Sequence, residues 1–219
     1  MKLVIFDLDG TLTNTIPDIE DNVNKTMRKF GYPDITADEA RRFVGSGAKL
    51  LIERSLKGAH PDNFDEIVAF YNDSYNFCGS PKTCVYQGMT ELLKELKADG
   101  YALAVVSNKP QDGTTEVIRK FFGDGLFDYV YGQREGVKTK PDKEPVEIVL
   151  KALGAEKRDA VYVGDSEVDV MTAQNSGLYG ISVLWGFREK ELLIEHGASI
   201  FASTAAELRE KIDLFFKNR

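Results

Sequence analysis

The sequence predicts an α/β protein built on a doubly wound parallel sheet, with a helical bundle inserted near its N-terminal end. Three observations predict it. Short apolar runs end in polar residues: Leu3-Val4-Ile5-Phe6 leads into Asp7, Leu103-Ala104-Val105-Val106 into Ser107, and Val161-Tyr162-Val163-Gly164 into Asp165. From residue 89 onward helical patterns alternate with such runs, which calls for right-handed crossovers between parallel strands. Between residues 14 and 84 the β runs stop and helical spacing takes over.

Taken in order, run 3–6 is apolar throughout, as a strand covered on both faces must be. The insertion follows, helical over 19–30, 37–43, 48–56 and 64–77, with Gly31-Tyr32-Pro33 and Gly58-Ala59-His60-Pro61 as breaks. Helix 89–98 carries Leu92, Leu93 and Leu96 at helical spacing and closes at Gly100. Strand 103–106 leads to helix 114–122, a weaker strand at 128–131 and helix 144–153. Strand 161–164 then precedes helix 168–175, a weak strand 180–183, helix 190–196, a weak strand 199–201 and a last helix 205–216. The division this implies is a Rossmann-like core from residues 1–13 and 85–219, and a helical cap from residues 14–84.

At 219 residues the chain has room for one substantial domain plus an insertion. With 42 % hydrophobic and 29 % charged residues, it reads as an ordinary soluble globular protein. Lys and Arg number 28 against 35 acids, a net charge of −7, and no basic run suggests nucleic acid. An anionic ligand would need cations placed at its own site. No apolar run is long enough to span a membrane, and the N-terminus lacks a signal-peptide cleavage pattern. Cys78 and Cys84 form no metal or redox motif, so they are expected to be reduced thiols in a cytoplasmic protein, monomeric or homodimeric.

Ligands of open α/β sheets bind beyond the carboxyl ends of the strands. Asp7, Ser107 and Asp165 sit at such ends, and Asp9 and Asp169 follow closely. Any one of these residues serves well as a helix cap or a strand end, but four acids and a hydroxyl together at one edge do not all have that explanation. Crowded carboxylates require a cation, and hard oxygen donors without a His or Cys cluster point to Mg²⁺.

These residues resemble a family. Asp7-Leu8-Asp9-Gly10-Thr11 is similar to the DxDGT motif of the haloacid dehalogenase superfamily. Ser107-Asn108-Lys109 resembles its second motif, Lys140-Pro141-Asp142 its third, and Gly164-Asp165-Ser166-Glu167-Val168-Asp169 its fourth, in the family's order and across nearly the whole chain. The inserted helices resemble the family's cap. The resemblance implies phosphoryl transfer with Asp7 as nucleophile and Asp9 as general acid and base. Ser107 and Lys140 would hold phosphoryl oxygens. Asp7, Asp165 and the Asp9 backbone carbonyl would hold Mg²⁺, with Asp169 in support. Thr11 and Asn108 would help fix the substrate, a small phosphorylated metabolite, while Gly10 would permit a turn.

Within the superfamily, Asp9 disfavours dehalogenation. Mutase-like members carry a histidine where Ile19 stands, and the two histidines, His60 and His196, lie elsewhere. The stretches from Asn14 to Ile19 and from Arg42 to Gly47 resemble phosphoglycolate phosphatase. By that likeness Arg42 (or Lys49) and the Gly45-Ser46-Gly47 loop would contact the leaving group, the loop through its amides. A phosphomutase and a non-catalytic phospho-receiver are the alternative readings.

Overall fold

The computed structural model describes residues 1–74 and 81–217. Its centre is a six-stranded parallel sheet, built from β1 (Leu3–Phe6), β4 (Ala102–Pro110), β5 (Tyr129–Gln133), β6 (Ala160–Gly164), β7 (Tyr179–Val183) and β8 (Phe201–Ala202). The spatial order is β5-β4-β1-β6-β7-β8, so the chain winds outward one way from β1 and then the other way from β6. That reversal is the doubly wound arrangement, and it opens a crevice beside β1 at the strands' carboxyl ends. Phe6 pairs with Val105 on one side and Val163 on the other, which aligns the ends of β1, β4 and β6.

Apolar side chains explain why the sheet forms. Val4, Phe6, Leu103, Val105, Val161 and Val163 face one layer, where α5 (Met89–Ala98), α6 (Gln111–Phe122) and α10 (Ala205–Lys217) contribute. Leu3, Ile5, Ala104, Val106 and Tyr162 face the other, against α7 (Glu144–Leu153) and α8 (Glu167–Ser176). A strand between two such layers must be apolar along its length. Helix α9 (Lys190–Glu195) completes the core.

The insertion forms a separate bundle from α1 (Ile16–Lys29), α2 (Ala37–Phe43), α3 (Ala48–Ser55) and α4 (Phe64–Ser74). Ile19, Val23, Met27, Leu51, Ile52 and Ile67 build its own apolar centre. Thr36 and Glu39 start α2 with a reciprocal capping box, and Arg54 donates to the Phe43 carbonyl at 2.8 Å, pinning the turn between α2 and α3. The bundle joins the core through a two-stranded antiparallel ribbon, β2 (Thr13–Asn14) with β3 (Cys84–Val85).

Several boundaries differ from expectation. Helix α1 starts three residues earlier than the apolar spacing indicated, because Pro17 suits a first helical turn. Strand β4 continues past Val106 through Ser107 to Pro110 with a shift in register, so Ser107 lies within the irregular end of the strand. The last strand is Phe201–Ala202, shifted from 199–201. The end expected for the fourth bundle helix, beyond residue 74, and Cys78 lie outside the described residues, while Cys84 is an exposed free thiol.

Candidate active site

Three carboxylates meet where β1 and β6 end. Asp7, Asp165 and Asp169 are buried, and each offers an oxygen within 4.8 Å of the others. Asp7 is fixed by its position one residue past β1, its amide donating to the Val163 carbonyl at 2.9 Å. Asp169 lies in the first turn of α8, where Ser166 and Asp169 form a second capping box. Tyr162 donates its hydroxyl to Asp169 Oδ1 at 3.0 Å. Asp165 accepts from the Thr11 hydroxyl at 3.0 Å and from the Phe187 amide at 2.8 Å. Gly10 sits so close that a Cβ there would lie 2.3 Å from Asp165 Oδ2, and its φ of +97° suits glycine.

Lys140 enters this group from the loop between β5 and α7. Its ammonium donates to Asp7 Oδ1 at 2.6 Å and to Asp169 Oδ1 at 2.8 Å. Burial disfavours the lysine's charge, but Asp169 and Asp7 outweigh it and hold the ammonium protonated well above the ordinary lysine range. Burial would likewise raise Asp169, but Lys140 and the hydrogen bonds from Ser166 and Tyr162 hold it below its usual value. Asp7 goes the other way: burial pushes its carboxyl well up against the pull of Lys140. Asp165 is pushed up to about 7, by burial first and by Asp169 second. One lysine among three buried carboxylates leaves excess negative charge in a site of hard oxygen donors. That is the environment a divalent cation suits.

Asp9 lies at the edge of the group, where Lys109 donates to both its carboxylate oxygens at 3.0 and 2.9 Å. Ser107 is buried and its Oγ accepts from the Lys109 amide at 3.1 Å. Asn108 brackets the Lys140 peptide: its Oδ1 accepts from the Lys140 amide at 2.9 Å, and its Nδ2 donates to the Lys140 carbonyl at 3.0 Å. The same Nδ2 donates to the Gly45 carbonyl at 3.0 Å, tying the bundle to the core.

These groups open onto a cavity of about 230 Å³ between sheet and bundle. Asp7, Asp9, Ser107, Asn108, Lys140 and Asp165 line its core side, and Gly45 and Gly47 are on the bundle side. Other expected contacts stand apart. Thr11 is fully buried, with its hydroxyl turned to Asp165 rather than to the cavity. The Asn108 amide is held by backbone groups on both sides. Arg42 is exposed on α2, and neither it nor Ser46 is among the lining residues, because the turn after α2 brings the flanking glycines inward.

Sequence reasoning missed Lys109 and Arg188. Lys109 stood within a motif but had no assigned partner. Arg188, on the loop after β7, donates from Nε to Glu167 at 2.8 Å, from Nη2 to the Val44 carbonyl at 2.8 Å, and from Nη1 to the Arg41 carbonyl. No periodicity marks such a residue. The Ser166-x-x-Asp169 spacing was a readable signal for the second capping box.

The sequence and fold resemble those of known proteins. The family model for haloacid dehalogenase-like hydrolases matches residues 4–183. The chain is 32 % identical over 194 residues to a phosphoglycolate phosphatase from Psychrobacter arcticus, covering 85 % of this chain and 84 % of that one. A phosphoglycolate phosphatase from Cereibacter sphaeroides is 34 % identical over 203 residues, covering 90 % and 92 %. A crystal structure from Lactobacillus delbrueckii subsp. bulgaricus, provisionally assigned as a phosphoglycolate phosphatase, superposes with a TM-score of 0.89 at 31 % identity, over 96 % of this chain and 98 % of that one. The chain therefore belongs to the haloacid dehalogenase-like hydrolase family, as a phosphoric monoester hydrolase similar over nearly its whole length to phosphoglycolate phosphatases.

Proposed function

We propose that the protein is a Mg²⁺-dependent phosphatase that hydrolyses a small, phosphoglycolate-like phosphate monoester through an aspartyl-phosphate on Asp7. The observation that carries this reading is the buried Asp7–Lys140–Asp169 ion cluster, with Asp165 beside it, at the floor of the cavity. Asp7, Asp165 and the Asp9 carbonyl would hold Mg²⁺, with Asp169 in support. When bound, the ion supplies the positive charge that lets an anionic nucleophile meet an anionic phosphoryl group.

The chain's own residues then divide the work. An Asp7 carboxylate oxygen attacks phosphorus while the bond to the leaving oxygen breaks. Lys140 holds the Asp7 carboxylate at 2.6 Å and, with Ser107, takes up phosphoryl charge. The Asp9 carboxyl gives its proton to the leaving oxygen, then accepts one from the water that attacks the acyl-phosphate. Lys109 donates to both Asp9 oxygens and so fixes the orientation of that carboxylate. Thr11 acts through Asp165, and Asn108 through Lys140 and Gly45. The loop of Gly45, Ser46 and Gly47 shapes the leaving-group side, and Arg42 is the outermost candidate contact. Residues 14–84 serve as the cap, with residues 1–13 and 85–219 as the catalytic domain.

A mutase must pass protons at its leaving-group side, and Ile19, which lines the cavity there, has no group for that. Among the described residues no helix is long and apolar enough to cross a membrane. A cytoplasmic monomer or homodimer acting on a small metabolite completes the proposal. The test is phosphate release from p-nitrophenyl phosphate and phosphoglycolate by EDTA-treated protein, with and without Mg²⁺. No release with Mg²⁺ present would refute it.

A further inference from the structure

The loop after β7 touches the start of the chain, the acid cluster and the bundle in quick succession. Trp185, the one tryptophan of the sequence, donates from Nε1 to the Thr11 carbonyl at 3.0 Å, and Thr11 donates its hydroxyl to Asp165 Oδ1. Gly186 runs so close to Asp165 that a Cβ there would lie 2.2 Å from the aspartate's own Cβ. The Phe187 amide donates to Asp165 Oδ2 at 2.8 Å, so both oxygens of that carboxylate are held. The Phe187 side chain goes elsewhere. It packs against the bundle's apolar cluster, and among the described residues it is the one side chain from outside residues 14–84 that does so. Arg188 follows at once and donates to the Val44 and Arg41 carbonyls of the bundle and to Glu167 of α8.

Resting on the Mg²⁺ reading above, we propose that Phe187 is a positioning residue through which the seating of the bundle sets the metal affinity of Asp165. Its ring and its amide belong to one residue, so a ring held in the bundle keeps the amide aimed at Asp165 Oδ2. A ligating carboxylate fixed by such a hydrogen bond needs no reorientation when a cation arrives. With the bundle tilted away, the ring loses its apolar cover and Arg188 loses the Val44 carbonyl. The loop then no longer holds Asp165 in that rotation. Coupling of this kind runs both ways: a seated bundle raises cation affinity, and a bound cation seats the bundle more firmly by the same factor. The cavity between sheet and bundle therefore closes most firmly when the metal is in place.

The experiment titrates Mg²⁺ alone into the metal-stripped full chain by calorimetry, without substrate, and follows amide exchange in residues 41–47 of the bundle. Phe187→Ala is expected to weaken Mg²⁺ binding by about tenfold, and Phe187→Leu, which keeps an apolar seat, by about twofold or less. In the unaltered chain Mg²⁺ is expected to slow exchange across residues 41–47 by about tenfold, and in Phe187→Ala that slowing should vanish. A side chain that only filled space would change stability without linking these two readouts. Equal Mg²⁺ affinity in Phe187→Ala and the unaltered chain would overturn the inference. So would Mg²⁺ binding that leaves exchange in residues 41–47 unaltered, and in either case the metal reading stands. The exchange arm uses the unaltered chain, so it decides even where Phe187→Ala does not fold. If the unaltered chain binds no Mg²⁺, the metal reading falls and takes the inference with it.

Discussion

Arg188 Nη2 donates to the carbonyl oxygen of Val44 at 2.8 Å, so a core side chain holds the turn between α2 and α3 of the bundle. The Nε of the same guanidinium is anchored at Glu167, two residues past Asp165. Closure of the cavity is thereby tied to the loop carrying the acid cluster. Arg188→Ala removes several charge-assisted hydrogen bonds, each worth about 1.5–3 kcal/mol. We expect kcat/KM to fall by about 10- to 100-fold, mostly through KM, with faster amide exchange in residues 41–47. Unchanged exchange there would show that the contact does not hold the turn.

Asp7→Asn is expected to abolish turnover, because an amide cannot form the acyl-phosphate. Asp9→Asn keeps the nucleophile but lacks the base for the second step. With p-nitrophenyl phosphate, whose leaving group needs little protonation, a phosphoenzyme should accumulate. Intact-protein mass would register one added phosphoryl group, removed by hydroxylamine. Wild-type turnover in Asp9→Asn, or a label mapped elsewhere than Asp7, contradicts the assigned roles.

The metal-free fold should respond to pH through its acid cluster. Asp165 rises to about 7 from an ordinary 3.8, so the folded chain holds this proton more tightly than the unfolded chain does. Its contribution to stability is complete below about pH 4 and is lost as pH rises through about 7. Asp7 shifts in the same sense and Asp169 in the opposite one. In EDTA, this cluster should lower the melting temperature between about pH 5.5 and about pH 8, an effect removed by Asp165→Asn. Protons compete with a cation for these oxygens, so added Mg²⁺ should raise the melting temperature more at the higher pH. An equal Mg²⁺ increment at both pH values would count against cation binding by these groups.

Gly186 offers a steric test with little electrical change. A Cβ there would lie 2.2 Å from the Asp165 Cβ, far inside contact distance. Gly186→Ala must therefore displace Asp165 or the loop before Phe187, costing about 1–3 kcal/mol of stability. Activity is expected to drop by about 100-fold, since a displaced catalytic group loses roughly that much. Titration calorimetry should show weaker Mg²⁺ binding. Undiminished binding and activity would mean that the loop yields without moving Asp165.

The centre of this molecule was legible because burial on both faces leaves no choice of residue. The runs ending at Asp7 and Asp165 are uniformly apolar, and such runs have few other uses. Helices α5 and α7 fell at their expected bounds because Gly100 and Gly154 close them. Two-residue strands carry no period, so β2 and β3 were invisible, and β8 was misplaced. In the site, residues at strand ends could be named from the chain alone. Which hydroxyl or amide turns toward which neighbour could not, as Thr11 and Asn108 illustrate. Arg188 is part of the site only because β7 delivers its loop beside a turn more than 140 residues away in sequence.

The short ribbon of β2 and β3 has an evolutionary consequence. Thr13 lies opposite Val85 and Asn14 opposite Cys84, so the chain departs from the sheet and returns to it at adjacent points. A segment whose ends meet this way behaves as a cassette. Another folded insert could replace residues 14–84 if its termini lay about one strand spacing, roughly 5 Å, apart. The register of Phe6 with Val105 and Val163 would not have to change. Lineages can then trade one substrate for another by swapping or remodelling the insert, while the reaction itself is inherited intact.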